Sequence, residues 1–203
     1  MKLVRKVFLL LAGVLLQLTS LPFELAGYAP AGNSLIGISE ALAEVLEKVA
    51  DVLRRNFPGA DTFKEELKRL DPDQMRLIGE KSGVSLDPQR DSRFFFHVAS
   101  AGGKVLGYAV EDTAHGKWGP IHYLLVLDPQ GRVLDVSVLE FRERRGRPVA
   151  ERRFLKQFIG KDKSSVLRLQ KDIQSVTGAS ISSRGVTDGI RKLVHVFQFF
   201  YAA

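Results

Sequence analysis

The apolar positions between residues 38 and 52 recur at the spacing of an α-helix. They are Ile38, Leu42, Val45, Leu46, Val49 and Val52. Charged side chains fill the opposite face, so the stretch predicts an amphipathic helix that ends at Asn56-Phe57-Pro58-Gly59. Thr62-Phe63-Lys64-Glu65 and Asp71-Pro72-Asp73-Gln74 have the form of capping boxes. They predict two further helix starts, the second helix ending near Gly79.

The period of the pattern changes in the middle of the chain. Short runs rich in Phe, Val, Leu and Tyr lie at residues 93–98, 104–111 and 120–128, and residues 132–140 alternate between apolar and polar positions. These runs are separated by Gly102-Gly103, by residues 115–119 and by an Asp-Pro-Gln-Gly turn, so they predict an antiparallel sheet.

Helical spacing returns after the predicted strands. It covers residues 148–158 and a last helix that starts near Ser183. The apolar face of this last helix comprises Val186, Ile190, Leu193, Val194 and Phe197. The order of elements predicts an α+β fold in which helices flank an antiparallel β-sheet. A helical N-terminal segment at residues 32–85 precedes the main domain at residues 86–203.

Residues 1–31 have the character of a leader. Lys2, Arg5 and Lys6 precede an apolar run from residue 7 to residue 16 that continues weakly to Leu21. This pattern fits both a cleaved signal peptide and an uncleaved membrane anchor. The positive-inside rule places the rest of the chain on the outer side of the membrane in either case.

The formal net charge of +7 raises the question of a nucleic-acid partner. Part of the excess lies in the leader and much of the remainder in residues 142–153, so we expect no nucleic acid. A basic face of this kind equally suits anionic lipid headgroups or an acidic redox partner. The chain has no cysteine, which excludes disulfides, cysteine-ligated zinc, iron–sulfur clusters and thioether-linked haem.

Most signatures of catalysis and metal binding are missing from this sequence. The four histidines lack metal-ligand spacing, and we find no nucleophile elbow and no glycine-rich phosphate loop. We therefore predict no metal site and no catalytic residue. Residues 177–183 remain, because four hydroxyls surround Gly178 and Ala179 at the entry to a helix. They fit a phosphate cradle or an elaborate N-cap, and the residues alone favour the cap.

The stretch Thr177-Gly178-Ala179-Ser180-Ile181-Ser182 resembles the signature of the FMN-binding domain family. That family includes the periplasmic flavin subunits of the Rnf and sodium-pumping NADH:quinone oxidoreductase complexes. Its signature is Ser/Thr-Gly-Ala-Thr/Ser, any residue, Thr/Ser. Further segments resemble the family in the same order, namely residues 56–61, 104–108, 120–121, 128–131, 141–146 and 154–160. The resemblance covers most of residues 56–200.

The resemblance implies that FMN is the cofactor and that a dedicated flavin transferase esterifies its phosphate to Ser182. Tightly held but unattached FMN is the alternative, because Gln174 stands where the family has an aspartate and the nearest acid is Asp172. The predicted cofactor-binding residues are Ser182, Thr177, Gly178, Ala179, Ser180, Ser183, Trp118, Gly119, Arg142, Glu143 and Gly146. Trp118 fits either a ring that stacks on the flavin or a buried core anchor.

The expected function is that of an exported electron carrier, or a subunit of a respiratory redox system, rather than an independent enzyme. It would act in the bacterial periplasm or on the outer face of the cytoplasmic membrane. The expected partners are the flavin transferase, a membrane or periplasmic redox protein, and the membrane surface through the N-terminal segment. The competing interpretation is a flavin-free, membrane-tethered binding or scaffold protein of the same fold.

Overall fold

The computed structural model describes residues 44–141 and 147–201. The predicted leader, the first part of the predicted N-terminal helix, and Arg142, Glu143 and Gly146 lie outside these ranges. In the described ranges no helix is both long and apolar enough to cross a membrane.

A six-stranded antiparallel sheet forms the centre of the described chain, with the strand order β1-β6-β5-β4-β3-β2. The strands are β1 (Glu44–Val45), β2 (Thr62–Arg69), β3 (Arg93–Ala101), β4 (Lys104–His115), β5 (Pro120–Leu127) and β6 (Val133–Phe141). The four predicted strands are all confirmed, and the α+β class with them. Gly103 and Gly131 adopt φ values of 79° and 83° in the hairpins that the glycine-containing turns predicted.

Strand β2 corrects the prediction of a helix start at Thr62. Its eight residues pair with β3, with Glu65 opposite His97 and Leu67 opposite Phe95. A capping box needs only local partners, whereas this strand gains a full ladder of hydrogen bonds to a distant segment. The prediction of a helical segment over residues 32–85 is therefore wrong for this stretch.

The N-terminal helix also differs from its prediction. Helix α1 spans Val49–Asn56 and begins well after residue 38, while Glu44 and Val45 pair with β6. Helix α2, Pro72–Ser82, has the predicted start, because Asp71 and Gln74 form a complete capping box. It continues past Gly79 and ends where Gly83 adopts a left-handed φ of 65°.

The predicted helix at residues 148–158 is broken into short pieces. A 3₁₀ turn at Arg147–Ala150 precedes helix α3 (Arg152–Leu155), and a second 3₁₀ turn spans Lys156–Phe158. The last helix, α4, spans Ser180–Tyr201 and starts three residues before the predicted Ser183.

The two faces of the sheet pack against different helices. The five predicted apolar residues of α4 are all buried in the larger core cluster together with Phe96 of β3. On the other face, Val52, Leu53 and Phe57 of α1 and its C-terminal cap pack against Leu124 and Val126 of β5. The larger of these cores holds α4 over the sheet.

One end of the sheet gathers the segments that carry the candidate chemistry. Strand β4 ends at His115 and β5 begins at Pro120, so residues 116–119 form the tip of their hairpin. Strand β6 ends at Phe141, which pairs with Ile121 of β5. The first turns of α4 lie against the same end, because a Cβ added at Gly185 would lie 2.2 Å from the carbonyl oxygen of His115.

Candidate functional site

A tight turn leads into α4. The amide of Ala179 donates to the carbonyl oxygen of Val176 at 3.0 Å, and Gly178 has a φ of 79°. This φ favours glycine, and no atom lies within 4 Å of where its Cβ would be. Thr177, Gly178 and Ser180 are exposed, so the turn presents two hydroxyls and an open backbone to solvent.

Ser183 has a structural role. It is fully buried, and its Oγ accepts a hydrogen bond of 3.1 Å from the amide of Val176. Its carbonyl oxygen accepts one of 2.7 Å from the hydroxyl of Thr187. These bonds tie the turn to the second turn of α4, which explains a serine at this position without a ligand.

Ser182 lies in the third position of α4 and is only 1% exposed. Its Oγ accepts a hydrogen bond of 3.4 Å from the amide of Lys117, at the tip of the β4–β5 hairpin. Neither Ser182 nor Ser183 is an N-cap residue, because α4 begins before them. The N-cap interpretation of these two serines is therefore wrong in position.

The hairpin tip, residues 116–119, lies over Ser182. It is closed by a bond of 2.9 Å from the amide of Gly116 to the carbonyl oxygen of Gly119. Trp118 is 60% exposed, so the interpretation of its ring as a buried core anchor is wrong. The ammonium of Lys117 lies 5.1 Å from the centre of the Trp118 ring, within the range of a cation–π interaction.

Positive charge surrounds the start of α4. Lys117 and Arg184 are exposed there. Arg90 reaches the same end of the sheet, with its Nη1 2.5 Å from Nε2 of His115. The unpaired amides of a helix N-terminus add a partial positive charge of their own. The combined field favours an anion such as a phosphate.

The loop before the turn is held by a glutamine. Gln157 accepts from the amide of Gln174 at 2.7 Å and donates to its carbonyl oxygen at 3.2 Å. Both bonds use the backbone of Gln174, so they do not depend on the type of its side chain. They fix the approach of the chain to Thr177.

Asp172, the acid closest in sequence, is already engaged. It accepts from the amides of Leu167 and Arg168 and from the ammonium of Lys161, at 2.9–3.0 Å. Burial raises the pKa of Asp172, but these donors outweigh it and hold the pKa below its ordinary value. This carboxylate therefore supports the loop and does not stand in for the missing acid at position 174.

Some, but not all, of the predicted cofactor-binding residues are accessible to a phosphate. Thr177, Ser180 and the first amides of α4 can reach a ligand directly, and Gly178 leaves room for one. Ala179 is buried beside them, and Gly119 is partly buried in the hairpin tip. Ser182 belongs to the same cluster, but the hairpin tip covers its hydroxyl. The predicted contacts at Arg142, Glu143 and Gly146 remain predictions.

Two polar clusters outside this site were not found from the sequence. Lys192 of α4 binds Asp91 and Asp112 at 2.6 and 2.9 Å, and Asp112 accepts from the hydroxyl of Tyr123. The residues of this Lys192 cluster lie as far as 101 residues apart in the chain, so no local spacing signals them. The described ranges contain no group of His, Asp and Glu side chains that could hold a metal ion.

The second cluster lies on the face of the sheet that α1 partly covers. Glu111 bridges two imidazoles, with His97 Nε2 at 2.8 Å and His122 Nε2 at 3.1 Å. Hydrogen bonds from His122 and His97 lower the pKa of Glu111 to about 2. The bond to Glu111 raises the pKa of His122 above its ordinary value. These histidines are thus satisfied by a carboxylate.

The comparison with known families bears directly on the hairpin and α4. Residues 116–195 match the family model described as FMN-binding domain. The matched residues make up less than half of the chain. The match begins at the hairpin tip and ends within α4, so it contains Trp118, the turn at Gly178 and Ser182. It confirms the resemblance that the motifs predicted.

Two known proteins resemble the chain over longer stretches. One subunit of the proton-translocating ferredoxin:NAD(+) oxidoreductase complex of Clostridium ljungdahlii is 32% identical over 110 residues, or 49% of this chain. The match spans 57% of that relative, little more than half of its length. The crystal structure of Shewanella oneidensis NqrC is 17% identical, with a TM-score of 0.49, over 73% of this chain and 86% of that one.

Proposed function

We propose that this protein is an FMN-carrying electron-transfer subunit of a membrane redox system, with the flavin phosphate esterified to Ser182. One observation carries the proposal. Within the residues that match the FMN-binding domain model, the Thr177-to-Ser182 motif lies at the start of α4, where exposed hydroxyls and helix amides suit a phosphate. Bound FMN would supply a ring that accepts electrons and passes them on.

Different residues of the site would contact different parts of the cofactor. Thr177, Ser180 and the first amides of α4 would bind the phosphate oxygens, and Trp118 offers an exposed ring for stacking. Ser182 would form the ester. Its oxygen attacks the phosphorus of an activated donor such as a flavin pyrophosphate, the bond to the leaving phosphate breaks, and a base takes the hydroxyl proton.

The partners follow from the same proposal. A flavin transferase would catalyse the attachment, because a serine hydroxyl is a weak nucleophile at its ordinary pKa. The relative from Clostridium is named as part of an oxidoreductase complex, which supports a redox partner in a membrane complex. The leader predicted at residues 1–31 supports export, and a reporter fused to the C-terminus and active only outside the cytoplasm tests it.

Covalent attachment has a direct test. Co-expression of the full chain with a flavin transferase, followed by a denaturing gel under ultraviolet light, should give a fluorescent band. Ser182→Ala should abolish the band, because it removes the attacking oxygen. Ser175→Ala is the matched control, since Ser175 is an exposed serine just before the motif and has no role in the proposed site, and it should keep the band. A fluorescent Ser182→Ala protein would contradict the assignment.

A flavin-free scaffold of the same fold is the second candidate. Gln174 in place of the family's acid and the cover over Ser182 favour it. The absorbance of the native protein separates the cases. Yellow protein without a fluorescent gel band indicates bound but unattached FMN, and colourless protein after co-expression supports the scaffold.

A further inference from the structure

Ester formation at Ser182 meets a steric obstacle in this structure. The residue is 1% exposed, and its Oγ accepts from the amide of Lys117. A phosphorus atom must approach the oxygen along a free lone-pair direction, and an enzyme must deliver it. The proposed function therefore requires that either α4 or the hairpin tip moves.

Helix α4 is the more firmly held of the two elements. Ser183 and Thr187 are fully buried and hydrogen bonded, and Val186 is 0% exposed in the core. A helix packed by so many buried side chains moves only at a large free-energy cost. The start of α4 is thus the fixed wall of the site.

The hairpin tip is held more weakly. Lys117, Trp118 and Pro120 are exposed, and the bond from Lys117 to Ser182 is long at 3.4 Å. The first and last residues of the tip are the glycines at 116 and 119, and glycine backbone rotates with little steric restriction. None of these four residues belongs to either core cluster.

We propose that residues 116–119 act as a cover that opens to expose Ser182, and that Lys117 then binds the FMN phosphate. This inference rests on the proposed function. The amide that donates to Ser182 Oγ in the closed state donates to a phosphate oxygen after attachment, and the ammonium of Lys117 balances the phosphate charge. Lys117 is a residue that the sequence did not identify.

Attachment would change the acceptor of the Lys117 amide from the Ser182 hydroxyl to a phosphate oxygen, and this change favours the closed position of the cover. A hydroxyl oxygen is a neutral acceptor, whereas a phosphate oxygen carries charge and forms shorter and stronger hydrogen bonds. The tip is therefore held loosely before attachment and firmly after it. Opening makes the hydroxyl available, and closure over the ester shields it from water.

Hydrogen exchange of the full chain without flavin tests the opening. We expect the amides of residues 116–119 to exchange much faster than those of Tyr123 and Leu124 within β5. After attachment the amide of Lys117 should become protected. Equal protection of this amide in both states would overturn the proposal.

Substitution of Lys117 tests its role in binding. Lys117→Gln keeps the backbone amide and removes the charge, and it should slow flavin attachment about tenfold. Lys117→Arg should restore most of the rate. The matched control is Lys104→Gln at the opposite end of β4, an exposed lysine that should have no effect.

The outcomes separate this inference from the proposed function. Attachment that does not need Ser182 would defeat the proposed function. Attachment that needs Ser182 but proceeds at the same rate in Lys117→Gln would defeat the role of Lys117 alone.

Discussion

Two glycines of α4 show how single residues set the site. Gly185 and Gly189 allow the helix to approach β4 and β5 so closely that a Cβ at Gly189 would lie 2.3 Å from the hydroxyl oxygen of Tyr123. The close approach brings Ser182 under the hairpin tip. In the sequence these positions look like ordinary helical glycines, because the crowding atoms belong to distant strands.

The crowding at Gly189 yields a prediction for stability. Gly189→Ala should lower the free energy of unfolding by about 1–3 kcal/mol, because Tyr123 must move from a fully buried position. Urea denaturation measures the change. Gly59→Ala is the control, since no atom lies within 4 Å of its added Cβ. A stable Gly189→Ala protein would show that the helix and Tyr123 separate easily.

Ser182 and Ser183 illustrate what a motif does and does not determine. Both lie in or beside the signature, and the sequence predicts an FMN contact for both. In the structure Ser183 accepts a hydrogen bond from the turn, whereas Ser182 accepts one from Lys117 and is buried beneath it. The two contacts differ because adjacent residues of a helix point in different directions. Which hydroxyl faces the hairpin depends on how α4 is rotated on the sheet.

At the level of the elements, neighbouring strands join a carboxylate to two imidazoles. Glu111 of β4, His97 of β3 and His122 of β5 lie on one face of the sheet. The alternation of each strand places every side chain on a face, but only the register brings the three together.

This cluster predicts a pH dependence of stability. Hydrogen bonds from His122 and His97 lower the pKa of Glu111 from 4.5 to about 2, so its contribution is present above pH 4.5 and is lost as the pH falls toward 2. The pKa of His122 is raised above 6.5, so its contribution is present below pH 6.5 and is lost as the pH rises through the folded pKa.

Glu111→Gln should therefore destabilise the protein most between pH 4.5 and 6.5, by about 1 kcal/mol. Denaturant unfolding across a range of pH on both sides of this window measures the difference from the unchanged protein. Glu80→Gln, at an exposed glutamate of α2, is the control. A difference that stays constant with pH would mean that charge plays no part in this bridge.

Strand β2 is an element that local sequence predicted wrongly. Its Thr62-to-Glu65 stretch satisfies the capping-box pattern, yet every residue from Thr62 to Arg69 pairs with β3. By contrast, the capping box at Asp71 forms as predicted, because the proline after it suits a helix start and no strand competes. A local signal determines whether a segment becomes a helix or a strand only where no distant segment offers it a larger gain in hydrogen bonding.

At the scale of the whole molecule, one buried ion network connects α4 to the sheet. Lys192, Asp91 and Asp112 are 3–12% exposed at their side chains, and Tyr123 joins them through Asp112. Burial, followed by the charge of Asp112, raises the pKa of Tyr123 well above its ordinary value, so the phenol stays neutral and donates.

Removal of the lysine should have a large effect. Lys192→Met would leave two buried carboxylates without a counter-charge, and we expect a loss of about 3–5 kcal/mol in the free energy of unfolding. Thermal and urea denaturation measure it. Lys171→Met, at an exposed lysine, is the control. A loss below about 1 kcal/mol would indicate that the carboxylates find other partners.

Local pattern was enough to specify the main strands, the start of α2, the buried face of α4 and the motif at residues 177–182. Each of these depends on periodicity or on partners a few residues away, which a linear pattern records. Long-range packing, by contrast, makes Thr62–Arg69 a strand and places Lys117 over Ser182. These features depend on contacts between segments that meet only in the folded chain, and no local pattern contains the free energy of those contacts.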